Sequence, residues 1–300
     1  MNENNLKKII IIYADVNINI TDGSTIWLSN LINSLGIENK FVYFFNMYKI
    51  INKNFIRNII NINLFKIINC VSILDVKNKI ELFYNHNQNN IGDIIIRSKL
   101  IFDVIDKNWN ILNYITFYGL DIHIQNITTL NNQFKNLWTQ TDKLKQLYIS
   151  NGIIEDKIKL TPPIAWVYNF NLPKRIDNEI RLIYVGTLRD GENILEIIEQ
   201  FKKIHLSRPE VVLKFVYGKI HGNKQFIYKV NQIIKEGVKG ISFLHNLSHI
   251  ETCYHIAISD IGICWRKNGW GEKGELSTKE KEYNKYGLKI LNTSINDSNI

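Results

Sequence analysis

Two stretches of the 300-residue chain combine glycine, basic side chains and helix-start signals in the way that holding a phosphate demands. The first is Gly186-Thr187-Leu188-Arg189-Asp190-Gly191-Glu192-Asn193, directly after an apolar β-branched run. Glycine lets a phosphate approach the backbone, and a following helix offers unpaired N–H groups at the positive end of its dipole. Arg189 can fork two donors onto phosphate oxygens. An ordinary strand-to-helix turn with a surface arginine would have the same composition. The second stretch is Arg266-Lys267-Asn268-Gly269-Trp270-Gly271-Glu272-Lys273-Gly274-Glu275-Leu276-Ser277-Thr278-Lys279, a glycine-rich loop that enters a helix. Amides near Leu276, Ser277 and Thr278 suit a diphosphate, and Lys279 supplies charge. One turn further, Glu282 suits a ribose diol. The competing reading is a flexible surface loop before a charged helix.

These residues need elements to position them, and the second half of the chain provides a regular alternation. Residues 180–185 read as a strand closed by Gly186. Asp190 is expected to cap a helix whose apolar positions Ile194, Ile197, Ile198, Phe201 and Ile204 recur at helical spacing. Further strands are expected at 211–217, 241–244, 261–265 and 288–291. Helices between them are marked by Phe226, Val230, Ile233 and Ile234, by a Ser248/Glu251 capping box, and by a Ser277/Glu280 capping box with a stop at Gly287. Apolar strands alternating with amphipathic helices imply a parallel sheet covered on both faces. Ligands then bind beyond the carboxyl ends of the strands, where both stretches fall.

The first half repeats the theme less clearly. Strands are expected at 8–13 and 41–45, with a helix stripe of Ile26, Trp27, Leu31 and Leu35 between them. Weaker strands are expected at 71–74, 94–96 and 112–117, and 85–90 reads as a polar loop. A last strand at 137–139 leads into a helix stopped by Asn151-Gly152. Three of the four prolines, Pro162, Pro163 and Pro173, fall between 161 and 175 and mark a boundary. The domains expected are 1–165 and 176–300, two facing Rossmann-like α/β units.

Composition bounds the class. The chain is 45% hydrophobic and carries a formal charge of +9, so it folds around cores and favours an anionic partner. Three widely spaced cysteines form no CxxC pair, which suggests a reducing compartment. The run Ile9–Ile12 is too short for a signal segment, and no run reaches the 18 or so apolar residues of a spanning helix. A cytoplasmic protein is expected, with peripheral contact to an anionic membrane kept open.

The motifs carry a family resemblance. Gly186-Thr187-Leu188-Arg189 after a strand, followed by Glu275-Leu276-Ser277-Thr278-Lys279, Glu282-Tyr283 and Tyr286-Gly287-Leu288, resembles the retaining glycosyltransferases of family 4, which have the GT-B fold. Trp138-Thr139-Gln140-Thr141 through Asn151-Gly152-Ile153, with Lys157-Ile158 and Pro162-Pro163, resembles the end of their N-terminal domain. Asp22-Gly23-Ser24 with Trp27 and Asn30-Leu31 resembles their first acceptor-side loop. The resemblance implies a nucleotide-diphosphate sugar as donor, a glycan, lipid or protein acceptor, retention of configuration, and no metal or other cofactor. It implies that Arg189, Lys279 and the 276–278 amides hold the diphosphate together with the Gly186-Thr187 turn. Glu282 would hold the ribose, Glu275 would lie near the sugar hydroxyls, and the base would sit near His245.

The chain also departs from the family pattern. Glu275 and Glu282 enclose one residue fewer than the family's paired glutamates. Glu272 and Glu280 have the literal spacing, but Glu280 occupies a capping-box position, which favours the Glu282 register. Where the family adds a second basic residue after the arginine, this chain reads Glu192-Asn193, so Lys219 or Lys279 must supply the charge. The chain stops soon after its fifth C-terminal strand, which suggests a shortened C-terminus.

Other readings rest on less. Gly269-x-Gly271-x-x-Gly274 matches a dinucleotide fingerprint but follows a late strand. His245, His249, Cys253 and His255 match no common zinc module. Lys7, Lys8, Lys53, Lys143 and Lys145 are dispersed and form no nucleic-acid recognition pattern. A catalytically inactive nucleotide-sugar binder is the other alternative, and His123 is the one candidate for an attacking base in the first half.

Overall fold

A computed structural model describes residues 8–19, 23–38, 40–50, 54–162, 164–165, 168–172, 178–267, 278–296, 298 and 300. The first half builds a seven-stranded sheet from β1 (Ile9–Ala14), β2 (Phe41–Asn46), β3 (Phe65–Asn69), β4 (Ile91–Arg97), β5 (Ile115–Tyr118), β6 (Asn136–Thr139) and β7 (Ile158–Leu160). Its order is β3-β2-β1-β4-β5-β6-β7, and every pairing is parallel. The crossovers carry α1 (Gly23–Ile37), α2 (Asn54–Arg57), α3 (Ile73–Asn87), α4 (Ile124–Thr128) and α5 (Asp142–Ser150).

Successive strand residues face opposite layers, so β1 serves two cores. Ile11 and Tyr13 pack with Val76, Ile80 and Phe117 on one face, and Ile10 and Ile12 pack with Trp27, Leu28 and Phe44 on the other.

The second half builds a five-stranded sheet from β8 (Ile180–Val185), β10 (Val211–Tyr217), β12 (Ile241–His245), β13 (Ile261–Ile263) and β14 (Lys289–Leu291), in the order β12-β10-β8-β13-β14. A short separate ladder pairs β9 (Leu188–Arg189) with β11 (Ile220–His221). Helices α6 (Ile194–Ser207), α7 (Lys224–Glu236), α8 (His249–Ala257) and α9 (Thr278–Lys285) cover the sheet. In each sheet the chain moves outward one way from the first strand and then returns to its other side. This is the Rossmann order, with the switch beside β1 and beside β8.

Helix α9 is fixed to β8 by one residue. The fully buried Tyr283 hydroxyl accepts a bond from Val185 N at 2.9 Å. Its ring lies against Gly262 of β13, where an added Cβ would fall 2.2 Å from the ring. The glycine is therefore required by close approach rather than by backbone conformation.

Several expectations are corrected. Residues 71–74 are not a strand: Val71 is 93% exposed, and the Ser72 side chain accepts from Asp75 N to cap α3. The strand lies earlier, at β3. The polar stretch 85–90 is not a loop but the last turn of α3 and a 3₁₀ turn, because Val76, Ile80 and Tyr84 bury a helical stripe beneath it. Asp190 caps no helix, since its carboxylate is bonded to Lys267 at 2.7 Å and it opens a 3₁₀ turn. Asn193, left-handed at φ 51°, precedes α6 instead. The first part of 112–117 is a 3₁₀ turn, and the strand expected over 261–265 ends at Ile263. Ser277 and the prolines 163 and 173 lie outside the described residues.

The connecting segment is tied down at both ends: Asn30 of α1 donates to Ile164 O at 2.7 Å, and Tyr168 N donates to the Tyr286 hydroxyl at 2.8 Å. The two halves also touch directly. His249 N donates to Asn58 Oδ1 at 3.0 Å. Cys70, Cys253 and Cys264 are buried thiols. No helix among the described residues is long and apolar enough to cross a membrane.

Candidate functional site

The site forms where β8 and β10 end opposite α1. A small cleft pocket, open to solvent, is lined by Val185, Gly186, Tyr217, Gly218 and Thr252 from the second half and Ile26 from the first. Gly186 holds φ +134°, which L side chains rarely adopt, while its N–H donates to Val216 O at 2.9 Å. Its turn delivers Thr187, which is buried, and then β9, which ends on the half-buried Arg189.

Behind the Gly186 turn stands a charged cluster. Lys279, in the first turn of α9, is 9% exposed, and its ammonium donates to Glu192 Oε2. That nitrogen lies 4.3 Å from the centroid of the Tyr184 ring. The Tyr184 hydroxyl is 2.7 Å from Glu192 Oε2 and 2.7 Å from Thr187 O, with a single proton to give. A Cβ placed on Gly186 would be 3.8 Å from Lys279 Nζ, so the ammonium stands just behind the pocket wall. Burial works to raise the Glu192 carboxyl pKa. The Lys279 charge and hydrogen bond, the Tyr184 hydrogen bond and the Arg266 charge outweigh it and hold the carboxyl below its ordinary value. Burial first, and then the Glu192 charge, push the Tyr184 phenol well above its usual range, while the Arg189 charge acts in the opposite direction.

A second buried cluster lies on the same helix, three residues on. Glu282 is 1% exposed, and its Oε1 is 2.9 Å from His249 Nε2. Cys253 Sγ is 3.4 Å from the same nitrogen. Tyr168, from the segment between the halves, sets its ring edge-on to His249 at 5.6 Å.

The first half contributes its own strand ends. The Arg97 guanidinium, at the end of β4, lies 4.5 Å from the Trp27 ring centroid and 5.8 Å from that of Tyr118. Asp15, just after β1, accepts from Ser98 Oγ at 2.6 Å and from Lys99 N at 3.1 Å.

The structure thus brings Gly186, which lines the pocket, together with Thr187 and Lys279 behind it, and Thr278 opens the helix that carries Lys279. Arg189 is close enough for its charge to act on Tyr184. His245 is exposed at the end of β12, with Nε2 3.2 Å from Gly218 O. Glu282 is closed off from solvent with His249 as its partner. Glu275, Leu276 and Ser277, with the rest of the glycine-rich loop from Asn268, lie outside the described residues. His123 is buried, and its Nδ1 accepts from Leu120 N at 3.3 Å. Among the described residues no three His, Cys, Asp or Glu side chains group as metal ligands.

Sequence reasoning did not select Tyr184, Glu192, His249 or Arg266. Glu192 carried a usable signal, since it replaces a basic residue of the resembled pattern. His249 was noted only with Cys253, in a group that matches no zinc module, and Tyr184 carried no signal, because it reads as an ordinary core position until the helices are packed.

Two parallel sheets of Rossmann order, with a cleft between α1 and the strand ends of the second sheet, define a GT-B architecture. No family model matches the chain, and no curated protein is similar to it in sequence. Solved structures share the fold. HepE of Anabaena in complex with UDP superposes with a TM-score of 0.63 at 11% identity, over 94% of this chain and 79% of that one. Sucrose-phosphate synthase from Thermosynechococcus elongatus gives 0.62 at 11% identity, over 95% and 80%. UDP-GlcNAc 2-epimerase from Neisseria meningitidis bound to UDP-GlcNAc gives 0.57 at 12% identity, over 96% and 83%.

Proposed function

We propose that the chain is a glycosyltransferase that takes its sugar from a nucleotide-diphosphate donor held by the second half and passes it to an acceptor held by the first. The observation that carries the reading is the Gly186 turn at the cleft wall. There a glycine with positive φ closes β8, the Lys279 ammonium of the first turn of α9 stands behind it, and Arg189 follows three residues on, near enough for its charge to act on Tyr184. The solved structures that share the fold, with UDP or UDP-GlcNAc bound in some, are consistent with that donor class.

Breaking a sugar–phosphate bond leaves extra negative charge on the diphosphate. A fixed cation and a helix start stabilise that charge more in the transition state than in the ground state. We take the transfer to be retaining and metal-independent, as the family-4 resemblance implies, with Glu275 near the sugar hydroxyls and the 276–278 amides on the diphosphate. In this reading the acceptor attacks on the leaving-group side and the phosphate takes its proton. A glycan, lipid or protein acceptor is compatible with the first half, and the +9 charge favours an anionic surface.

Thermal-shift titration with UDP and GDP tests the donor site, since a ligand that binds the native state alone raises its stability. Arg189→Ala should weaken use of the donor by about 1.5–3 kcal/mol, the worth of one charge-assisted contact. Undiminished turnover in that variant would count against the site. Product analysis with chelator present separates sugar transfer from epimerisation of the donor, the activity of some proteins with this fold.

A further inference from the structure

The cluster behind Gly186 holds a carboxylate where a phosphate site ordinarily holds only cations. Resting on the donor site proposed above, we propose that Glu192 is a specificity-determining residue, a built-in competitor that keeps the Lys279 ammonium from the ligand's diphosphate. Among the described residues Lys279 is the cation nearest the glycine of the pocket wall, 3.8 Å from where a Gly186 Cβ would stand. Yet its ammonium is bonded to Glu192 and lies on the face of Tyr184. The same carboxylate oxygen lies 2.7 Å from the Tyr184 hydroxyl, which fixes its position. Glu192 is 7% exposed and Lys279 9%, so little water screens the pair.

Two consequences follow for an incoming diphosphate. The charge of Lys279 is already cancelled, and the Glu192 carboxylate repels the new anion across a thin wall. The ligand must either draw Lys279 from its partner or bind through the other cations, Arg189 and Arg266, and backbone amides. In both cases the affinity falls below what the cation set would give. Neutralising Glu192 frees Lys279 and removes the repulsion together, so the effect is a gain of binding confined to ligands that carry phosphate.

Calorimetric titration of UDP, GDP and uridine against the wild type, Glu192→Gln and Glu192→Gln/Lys279→Gln tests this. Glu192→Gln should bind the diphosphate about tenfold more tightly, or about 1.4 kcal/mol, with uridine affinity unmoved. The double variant, which removes both charges and leaves two amides able to pair, should return to within about twofold of the wild type. If Glu192→Gln fails to fold, the double variant decides. Wild-type-like affinity supports cancellation, and a tenfold or greater loss shows that Lys279 already serves the phosphate and overturns the proposal. Wild-type binding that Glu192→Gln leaves unmoved overturns it while sparing the donor site. Absence of diphosphate binding in every form removes both.

Discussion

At the scale of single residues, two carboxylates, Glu192 buried and Asp93 half-buried, illustrate opposite signs of the same linkage. Glu192 is held below its ordinary value in the folded chain despite burial, by Lys279 and its other partners. Its contribution to stability is therefore complete above the unfolded carboxyl range, about pH 4.3, and is lost as pH falls through the folded value. Asp93 of β4 is raised, because burial outweighs Lys135, Thr116 and the Ile94 amide. Its charge therefore costs stability once pH rises through the folded value. Asp93→Asn keeps an oxygen for Thr116 Oγ1, now 2.9 Å away, and for the Ile94 amide. We expect it to raise the melting temperature at pH 7 and to have no effect near pH 3, where both forms are neutral. A variant that is destabilised at pH 7 would refute the assignment. The glycine, the arginine and the lysine of the site could be recognised in the sequence because their types suit phosphate chemistry. Their neutralising partner showed only as a glutamate where the resembled pattern has a basic residue; its pairing with Lys279 emerges once a helix from 87 residues away is laid over it.

At the scale of elements, α9 is the piece that organises the site. Tyr283 anchors it to β8, and Lys279, one turn earlier on the same face, is thereby set behind Gly186. Gly262→Ala would drive a methyl into the Tyr283 ring, and nothing flexible can yield there. We expect a loss near the top of the about 1–3 kcal/mol range for overpacking, read from the urea midpoint. A variant as stable as the parent would mean that the ring is not seated on β13. The second-half elements were legible because each strand is a short apolar run closed by glycine or by a cap. Strand β3 and helix α3 were not. The exposed Val71 and Leu74 imitate a strand, while the true strand carries Lys66 within it. What decides α3 is burial of every fourth residue against the sheet, a tertiary effect that overrides local polarity.

At the scale of the molecule, the two sheets keep separate cores, and among the described residues no hydrophobic cluster mixes residues of both. The alternation of elements announced the two-sheet architecture. It did not announce the seams, which rest on partners as distant as Asn58 and His249. The buried cysteines sample this division unevenly, one in the first half and two in the second. Burial pushes the Cys70 thiol up to about 11 and Cys264 to about 12, with Cys253 higher still. Each is thus inert to an alkylating reagent until its surroundings open, and labelling becomes a stopwatch for each lobe. Mass spectrometry after timed alkylation should show Cys70 reacting on a different clock from Cys253 and Cys264, and a bound nucleoside diphosphate should slow the latter two more. Identical rates at all three positions would mean that the lobes come apart only as a single cooperative unit.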